Sequence, residues 1–440
     1  MSAALRLPPP PVRRGACPSV AAPMPTGDGL LVRLRPRAAG LSPEKWRAIA
    51  ALARRHGNGL VEVTARGNLQ IRGLTADSAR MLASGLDAAD IALRSGTAIE
   101  VPPLSGLDPS EAADATPVAA AIEAAIAARG FALAPKLAVV VDGGGVLSLA
   151  DMVADLRLDA ERTAEGVMWR ISTAGDAFSA RPVARADAAD AVETVVGLLG
   201  LLAALGPAAR GRDLGEALVP ALAGPTVRPS LPPVPVGPIA VGAGQVLGLR
   251  LPYGRIHADR LEGLANDLER LGATEIRLAP HRALLVPGLA GEALAATIRA
   301  AAAHGFRTDP DAPGNAISVC AGSAGCASGL IDTHAVADLL VAEAPSLFGG
   351  APGIHISGCA KGCAHPAAAA VTLAGSAGGL GLVPGGRAGD EPLAVTDDAA
   401  AAFARLEALL SRERAPGEPL DSLLDRLGRS RLKAAFQGRT

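Results

Sequence analysis

An internal repeat constrains this chain more than any other feature of its sequence. Residues 27–74 align without a gap on residues 242–289 at a constant offset of 215. Ten positions are identical, including the pairs Gly27/Gly242, Arg35/Arg250 and Gly57/Gly272. Chance similarity in an Ala-, Gly- and Leu-rich chain is the alternative, but the apolar periodicities of the two segments also coincide. We therefore expect the same structural unit to occur twice.

Each copy has the periodicity of a β-α-β-β unit, which is half of a ferredoxin-like sandwich. In the first copy we predict strands at 30–34 and 60–63 around a helix at 42–56. The second copy has the corresponding strands at 246–251 and 275–278 and a helix at 257–271. Because one half alone exposes a sheet edge and an apolar face, we expect the two copies to pair about a pseudo-twofold axis.

Weaker similarity continues beyond each copy. Residues 98–102 match 316–320, residues 139–144 resemble 354–359, and helices are predicted between them at 110–128 and 331–344. The sequence thus predicts an α+β protein with duplicated ferredoxin-like half-units that alternate with two larger α/β units. The predicted segments are an N-terminal arm (1–26), the first half-unit (27–92), the first α/β unit (93–223), a linker (224–237), the second half-unit (238–308), the second α/β unit (309–386) and a helical C-terminal tail (387–440).

Charge and hydropathy argue against two classes of partner. Lys plus Arg number 42 and Asp plus Glu number 43, so the net charge of −1 gives no general attraction to nucleic acid or to an anionic membrane. The longest apolar stretch, residues 194–209, is shorter than a membrane span and contains Pro207. Arg13 and Arg14 are not followed by the apolar segment of an export signal, so we expect a cytoplasmic protein.

Four of the five cysteines fall within 44 residues, as Cys320-x5-Cys326 and Cys359-x3-Cys363. In a reducing compartment, clustered thiols more often bind metal than form disulfides. Each pair follows a predicted strand and has small neighbours, which let backbone amides approach a wide 4Fe-4S cluster. Zinc sites usually have tighter pairs, and a zinc site or inert core cysteines are the alternatives. The equivalent positions of the first α/β unit carry no thiol: Pro102, Asp108, Gly144 and Ser148.

This cysteine pattern resembles the 4Fe-4S signature of the sulfite and nitrite reductase haemoproteins, whose fold also alternates duplicated ferredoxin-like units with α/β units. The resemblance covers about residues 27–382 and implies that Cys363 bridges the cluster to sirohaem iron. Residues 64–70 (TARGNLQ) resemble the family's Thr-x-Arg segment, and Pro135-Lys136 looks like its Pro-x-Lys region. The resemblance implies that these basic groups hold the carboxylates of a partially reduced tetrapyrrole.

Three features resemble one branch of this family more closely, the aerobic precorrin-3B synthases of cobalamin biosynthesis. They are residues 14–18 (RGACP) with 23–29 (PMPTGDG), the loop 358–366 (GCAKGCAHP) and the shortness of the chain. The resemblance implies a monooxygenase that hydroxylates precorrin-3A at C20 and closes a γ-lactone. It also implies a cluster, a non-haem iron, O2 and an external electron donor such as a ferredoxin or an NAD(P)H-dependent reductase. Thr97 stands where the reductases carry Arg, which supports this branch.

A polycarboxylate substrate requires several cations, and the guanidinium group of Arg binds carboxylate in a bidentate manner. Solvated surface charges are the alternative for each candidate. No catalytic residue is assigned. The substrate-binding candidates are Arg33 or Arg35 on the first strand, Arg66, Asn68 and Arg72 on the hairpin, and Lys136 and Lys361 in later loops. The candidate ligands of a non-haem iron are His355 and His365, although a histidine that only hydrogen-bonds within a loop is the alternative.

Two other functions stay open on the residues alone. One is a sirohaem-containing sulfite or nitrite reductase, and the other is a non-catalytic iron-sulfur protein that binds a tetrapyrrole. The glycine-rich segment 242–248 leads into a strand instead of a helix, so it does not predict a dinucleotide site. The electrons for either enzyme are therefore expected to come from a separate protein.

Overall fold

The computed structural model describes residues 18–164, 166–222, 230–348 and 353–438. Most of the predicted N-terminal arm, including Cys17, and residues 224–229 of the predicted linker lie outside the described residues. The chain forms two compact units. The inserted unit contains the residues described between 95 and 233, and the main unit combines residues 20–94 with those described from 234 onward.

The main unit contains both half-units, and each has the predicted order of strands and helices. The elements of the first are β1 (Met24–Thr26), β2 (Gly29–Leu34), β3 (Gly40–Leu41), α1 (Pro43–His56), β4 (Leu60–Val63), β5 (Leu69–Leu74) and α2 (Ala76–Ala88). The second half-unit follows the inserted unit in the chain, and the numbering of its elements continues from that unit. It contains β11 (Gly237–Val241), β12 (Gly244–Arg250), β13 (Arg255–His257), α5 (Ala258–Arg270), β14 (Ile276–Ala279), β15 (Ala283–Pro287) and α6 (Gly291–Ala303).

The two half-units exchange edge strands. One sheet has the order β1-β2-β5-β4-β13 and the other the order β11-β12-β15-β14-β3. β13 and β3 each precede the central helix of their own half-unit, and each pairs antiparallel with the edge strand of the other half-unit. The exchange covers one exposed edge of each sheet. The predicted pseudo-twofold pairing is confirmed.

One hydrophobic core serves both half-units, and α1 and α5 pack against each other within it. The Ser42 side chain caps α1 by accepting the Lys45 N–H, and Pro43 occupies the first turn, where a helix tolerates a missing N–H. Trp46 and Ile49 of α1 are fully buried. The Trp46 indole N–H also donates to the Ile276 carbonyl of the second half-unit at 3.1 Å.

A third sheet in the main unit carries the cysteine loops. Its strands have the order β16-β17-β18-β19-β20, with β16, β17 and β18 parallel and β19 and β20 antiparallel. Its elements are β16 (Ile317–Val319), α7 (Gly322–Gly325), α8 (Thr333–Glu343), β17 (Ile354–Ser357), β18 (Val371–Ser376), β19 (Gly379–Pro384), β20 (Ala394–Thr396), α9 (Ala399–Glu413) and α10 (Leu420–Gln437). The predicted helical tail is thus α9 and α10, but it also supplies the edge strand β20.

The inserted unit repeats this sheet. Its strand order is β6-β7-β8-β9-β10, and β6, β7 and β8 are again parallel. Its elements are β6 (Ala98–Glu100), α3 (Thr116–Arg129), β7 (Ala138–Asp142), β8 (Ala154–Thr163), β9 (Gly166–Gly175), β10 (Arg181–Ala186) and α4 (Ala188–Leu205). The helix predicted from residue 110 instead begins at Thr116, with Pro117 in its first turn. Residues 110–115 belong to a loop, because Asp108 and Asp114 accept hydrogen bonds from backbone N–H groups there.

Helix α4 is the one helix of the described residues that is long and apolar enough to cross a membrane by length and composition. Its side chains Val195, Leu198, Leu199 and Leu202 are buried in the core of the inserted unit. The apolar stretch at residues 194–209 is therefore explained by a helix face that packs into the core of the inserted unit.

Candidate functional site

A cavity of about 800 Å³ in the main unit is lined by both the first half-unit and the cysteine loops. β2, β4 and β5 supply one wall, and the loops after β16 and β17 supply another. The cavity is large enough for a ligand of cofactor size. Four cysteines, three arginines of the first half-unit and Lys361 line the same space, so the two groups of residues singled out in the sequence meet in one place.

A row of polar side chains crosses the sheet on the cavity side. Arg33 of β2 lies opposite Gln70 of β5, Gln70 opposite Glu62 of β4, and Glu62 opposite Arg255 of β13. Arg33 Nη2 donates to Gln70 Oε1 at 3.2 Å, and Gln70 Nε2 donates to Glu62 Oε2 at 3.3 Å. Because β13 comes from the second half-unit, the strand exchange completes this polar row with Arg255.

Arg72 connects the sheet to a cysteine loop. Its guanidinium donates to Asp28 at 2.9 and 3.1 Å, lies 3.6 Å from Glu62, and donates to the carbonyl of Gly325. Gly325 immediately precedes Cys326 in the chain. Arg72 is therefore engaged by two carboxylates and a backbone carbonyl of the protein itself.

The pKa shifts in this group follow from burial and charge. Burial lowers the pKa of Arg72, but its bonds to Asp28 and the charge of Glu62 outweigh burial and raise it. For the carboxyl of Asp28, burial acts in the opposite direction and raises the pKa, but hydrogen bonds from Arg72 and Thr26 leave that pKa below its usual value. For Glu62, burial dominates and raises the pKa despite the charges of Arg72 and Arg255. Of these two carboxyl groups, Glu62 is therefore the one whose pKa is raised, and it lines the cavity.

The cysteine loops follow neighbouring parallel strands, so they emerge at the same edge of the sheet. Cys320 directly follows β16 and Cys326 follows α7, whereas Cys359 and Cys363 follow β17. The loops are joined by hydrogen bonds: Leu330 N–H donates to the Gly358 carbonyl at 2.8 Å, and Gly358 N–H donates to Cys320 Sγ at 3.1 Å. A thiolate at Cys320 would therefore already have one backbone donor.

The arrangement of the thiols bears on which kind of metal group the cavity could hold. No three His, Cys, Asp or Glu side chains of the described residues converge closely enough to hold a single metal ion. In a tetrahedral zinc site, every sulfur lies about 2.3 Å from one ion. The four thiols line one cavity, and the Gly358 N–H directed at Cys320 Sγ is the kind of backbone donor that sulfur atoms around a 4Fe-4S cluster receive.

Several predicted site residues line the cavity and others do not. Those in its wall are Arg33, Arg66, Asn68, Arg72, Lys361 and the four clustered cysteines. Arg35 is not in the wall, because β2 ends at Leu34 and the strand alternation that directs Arg33 inward stops there. Lys136 belongs to the inserted unit, in the turn before β7, and its assignment stays a prediction.

The two histidine candidates lie outside the described cavity wall. His355 is fully buried within β17, and its ring nitrogens have no hydrogen-bond partner among the described residues. Its ring centroid lies 5.7 Å from that of His365. Burial and the neighbouring His365 lower the pKa of His355 to about 4, so the ring is neutral. Their role as iron ligands stays a prediction.

The sequence interpretation missed four aromatic or basic side chains of the cavity wall that come from outside the first half-unit: Tyr253, Arg255, Arg282 and His334. The His334 Nε2 is buried without a described partner, and burial together with the charge of Arg255 lowers its pKa to about 3. Glu62 was also missed, although period-two alternation with Val61 and Val63 places it on the polar face. The repeat could have indicated Arg282. It aligns with Gly67, which lies next to the candidate Arg66, so Arg282 occupies the corresponding hairpin turn of the second copy.

Comparison with known proteins agrees with this architecture. Residues 22–89 and 238–304 match the nitrite/sulfite reductase ferredoxin-like half domain. A solved structure of the Mycobacterium tuberculosis NirA protein has a TM-score of 0.72, covering 92% of this chain and 84% of that one at 19% identity, which shows the fold alone. A precorrin-3B synthase from Sinorhizobium sp is 45% identical over 436 residues, 97% of this chain and 95% of the relative. The chain therefore belongs to the precorrin-3B synthase family, built on the duplicated nitrite/sulfite reductase half domain.

Proposed function

We propose that this protein oxidises precorrin-3A to precorrin-3B in cobalamin biosynthesis, by O2-dependent hydroxylation at C20 with closure of a γ-lactone. The observation that carries the proposal is the shared cavity: four clustered cysteines and a basic, polar sheet face line the same space. A tetrapyrrole acid needs such cations for its carboxylates, and an oxidation needs a route for electrons. Similarity to a precorrin-3B synthase over nearly the whole chain supports the same reaction.

For the cofactor, we propose a 4Fe-4S cluster held by Cys320, Cys326, Cys359 and Cys363. When bound, such a cluster supplies single electrons from an external donor. The chain's own groups position the ligands: the Ser357 hydroxyl donates to the Cys359 carbonyl at 2.7 Å, and the Thr333 hydroxyl donates to the Cys320 carbonyl at 2.7 Å. The non-haem iron that the family implies keeps His355 and His365 as its candidate ligands, without further support from their positions.

For the substrate, we propose that Arg33, Arg66 and Lys361 bind carboxylates. All three line the cavity, and Lys361 Nζ lies 2.8 Å from the Ser328 hydroxyl, beside the first cysteine pair. Asn68 lines the same wall and adds an amide that both donates and accepts. We assign Arg72 a positioning role instead, because its charge is matched by Asp28 and Glu62 and it holds the Gly325 carbonyl.

The remaining partners follow from the reaction. O2 supplies the hydroxyl oxygen, and a ferredoxin or an NAD(P)H-dependent reductase supplies electrons. We propose a cytoplasmic location, where cluster thiols stay reduced before assembly.

The decisive experiment follows the oxygen atoms. Anaerobically purified holoprotein with a chemical reductant is exposed to oxygen-18 gas, with and without precorrin-3A, and the tetrapyrrole is analysed by mass spectrometry. We expect oxygen consumption to depend on precorrin-3A and one labelled oxygen to enter the product, because an unoccupied site that reduced oxygen would waste electrons. Viologen oxidation driven by sulfite or nitrite, with no label in the tetrapyrrole, would contradict the proposal and favour a sirohaem reductase.

A further inference from the structure

Three arginines of the second half-unit form a cluster that the proposed substrate contacts do not use. Arg250 ends β12, Arg282 lies in the turn between β14 and β15, and Arg307 follows α6. Arg250 and Arg307 are tied by their backbones, since each N–H donates to the other's carbonyl at 2.9 Å. Arg282 lines the cavity.

This arginine cluster has no acidic partner among the described residues, where no carboxylate lies within 4.0 Å of any of the three guanidinium groups. Burial, together with the charges of Arg282 and Arg307, lowers the pKa of Arg250 to about 10. Burial also lowers the pKa of Arg282. The Arg307 Nη1 is buried without a hydrogen-bond partner among the described residues, and the guanidinium stacks 4.4 Å above the Tyr253 ring. Because buried like charges repel one another, such a cluster favours the binding of an anion.

Backbone strain is concentrated at the same place. Tyr253, His281 and Arg282 have φ values of 52°, 59° and 65°, in the left-handed region that side chains with a Cβ rarely adopt. Gly254 makes room for this arrangement, because a Cβ there would lie 2.6 Å from Arg282 Cδ. Strained residues persist where the surrounding structure fixes them, and they are frequent at ligand sites. Here the strained turn carries Arg282, which lines the cavity.

We propose that Arg282, supported by Arg250 and Arg307, binds a carboxylate of the tetrapyrrole substrate. This inference rests on the proposed function, which makes the ligand a polycarboxylate. A carboxylate that enters the cavity supplies the missing negative charge and accepts two N–H groups from one guanidinium. The site was not predicted because its residues lie in the second half-unit, away from the Thr-x-Arg segment.

The repeat explains how two anchors arise from one fold. Arg282 aligns with Gly67 and His281 with Arg66 at the offset of 215, so Arg66 and Arg282 occupy equivalent hairpin turns. The two turns are in contact, because the His281 N–H donates to the Ala65 carbonyl at 2.8 Å. Arg66 and Arg282 both line the cavity. The pseudo-twofold pairing therefore presents one guanidinium from each half-unit to a single ligand.

The test measures binding of uroporphyrin III, a stable octacarboxylate tetrapyrrole, to the anaerobically purified full-length protein by fluorescence titration. We expect Arg282→Gln to bind at least tenfold more weakly than wild type, with an unchanged circular dichroism spectrum. The control is Arg299→Gln, which removes an exposed arginine of α6 in the same half-unit and should bind as wild type does. Arg282→Lys keeps the charge but not the bidentate geometry, and it should fall between the two.

Equal affinity of wild type and Arg282→Gln would overturn the inference while leaving the proposed function intact. If Arg282→Gln does not fold, Arg282→Lys decides: at least threefold weaker binding supports the site, and wild-type affinity refutes it. A wild-type protein that binds no uroporphyrin at any concentration tested would count against the proposed polycarboxylate substrate itself, and so against both.

Discussion

Arg72 illustrates how far single residues could be predicted from the sequence. Arg72 lies two residues after Gln70 on β5, so both side chains lie on the cavity side of the strand, as expected for the hairpin. Its partners could not be predicted, because Asp28 lies 44 residues away and Gly325 lies 253 residues away in the chain. A residue pattern indicates which face an arginine occupies, whereas only the tertiary structure shows whether its charge is already neutralised. These contacts support the positioning role that we propose for Arg72 at the Cys326 loop.

Arg66 offers the most direct test of substrate binding in the first half-unit. It is exposed in the turn between β4 and β5 and lines the cavity. Arg66→Ala should weaken uroporphyrin III binding by about 1.5 to 3 kcal/mol, because a charge-assisted hydrogen bond is lost. The visible spectrum of the holoprotein should not change. Arg80→Ala, which removes an exposed arginine of α2, is the control, and equal affinity of the two variants would place Arg66 outside the binding site.

Glu111 predicts a pH dependence of stability in the inserted unit. Burial, with the charges of Asp108, Asp114 and Asp142, raises its pKa from 4.5 to about 7. Between these values the folded state binds more protons than the unfolded chain, so the stability contributed by Glu111 is complete below pH 4.5 and is lost as the pH rises towards 7. Glu111→Gln, which stays neutral, should gain on the order of 1 to 3 kcal/mol relative to wild type between pH 5 and pH 8.

Urea unfolding at a series of pH values measures this difference. Glu216→Gln removes an exposed carboxylate of the same unit and should follow the wild-type curve. A constant difference between Glu111→Gln and wild type across the range would show that Glu111 does not titrate in it.

At the scale of elements, periodicity was sufficient where helices and strands make local contacts. β4 was predicted at its observed bounds, and α1 and α5 to within a residue at each end. The exchanged strands β3 and β13 could not be predicted, because two- and three-residue strands carry no periodicity and pair with residues of the other half-unit. The helix predicted from residue 110 fails for a related reason. Carboxylates that accept backbone N–H groups hold that loop open, and apolar spacing does not report such bonds.

The turn between β1 and β2 provides a prediction about the cysteine loop. Gly27 lies so close to this loop that a Cβ there would be 2.9 Å from the Cα of Cys326. Gly27→Ala should displace the turn or the loop and lower the iron and sulfide content of the anaerobically purified protein, in the direction of Cys326→Ser, which removes a proposed cluster ligand. A real Cβ does not tolerate such a separation from backbone atoms, so one of the two segments must move.

A glycine of the second half-unit with open space around it serves as the control. Gly244 begins β12 in the second half-unit, and a Cβ there would meet only the Val241 carbonyl, at 3.7 Å. Gly244→Ala should therefore retain the full iron and sulfide content. Full retention by Gly27→Ala as well would show that this turn does not hold the cysteine loop in place.

At the scale of the whole molecule, the duplication determined what could be predicted. The repeated offset indicated the fold class, because two similar half-units with open sheet edges have few ways to cover those edges. The cavity could be predicted only in part. Residues on β5 and in the cysteine loops have local signals, whereas Arg255, Arg282 and His334 enter it through the strand exchange and the packing of separate segments. Long-range contacts of this kind leave no trace in local periodicity.

The shared core leads to a prediction about cooperativity. Ile49 of α1 is fully buried in the core that also contains Leu264, Leu284 and Val286 of the second half-unit. Ile49→Ala should reduce stability by about 2 to 5 kcal/mol, because a cavity replaces buried methyl groups. If the half-units form one cooperative structure, amide hydrogen exchange should accelerate in β14 and β15 as much as in β4 and β5. Met81→Ala, on the exposed face of α2, should change neither set, because Met81 is 58% exposed. Faster exchange confined to the first half-unit would mean that the two halves unfold separately, and that the cavity wall they build together is less rigid than the strand exchange implies.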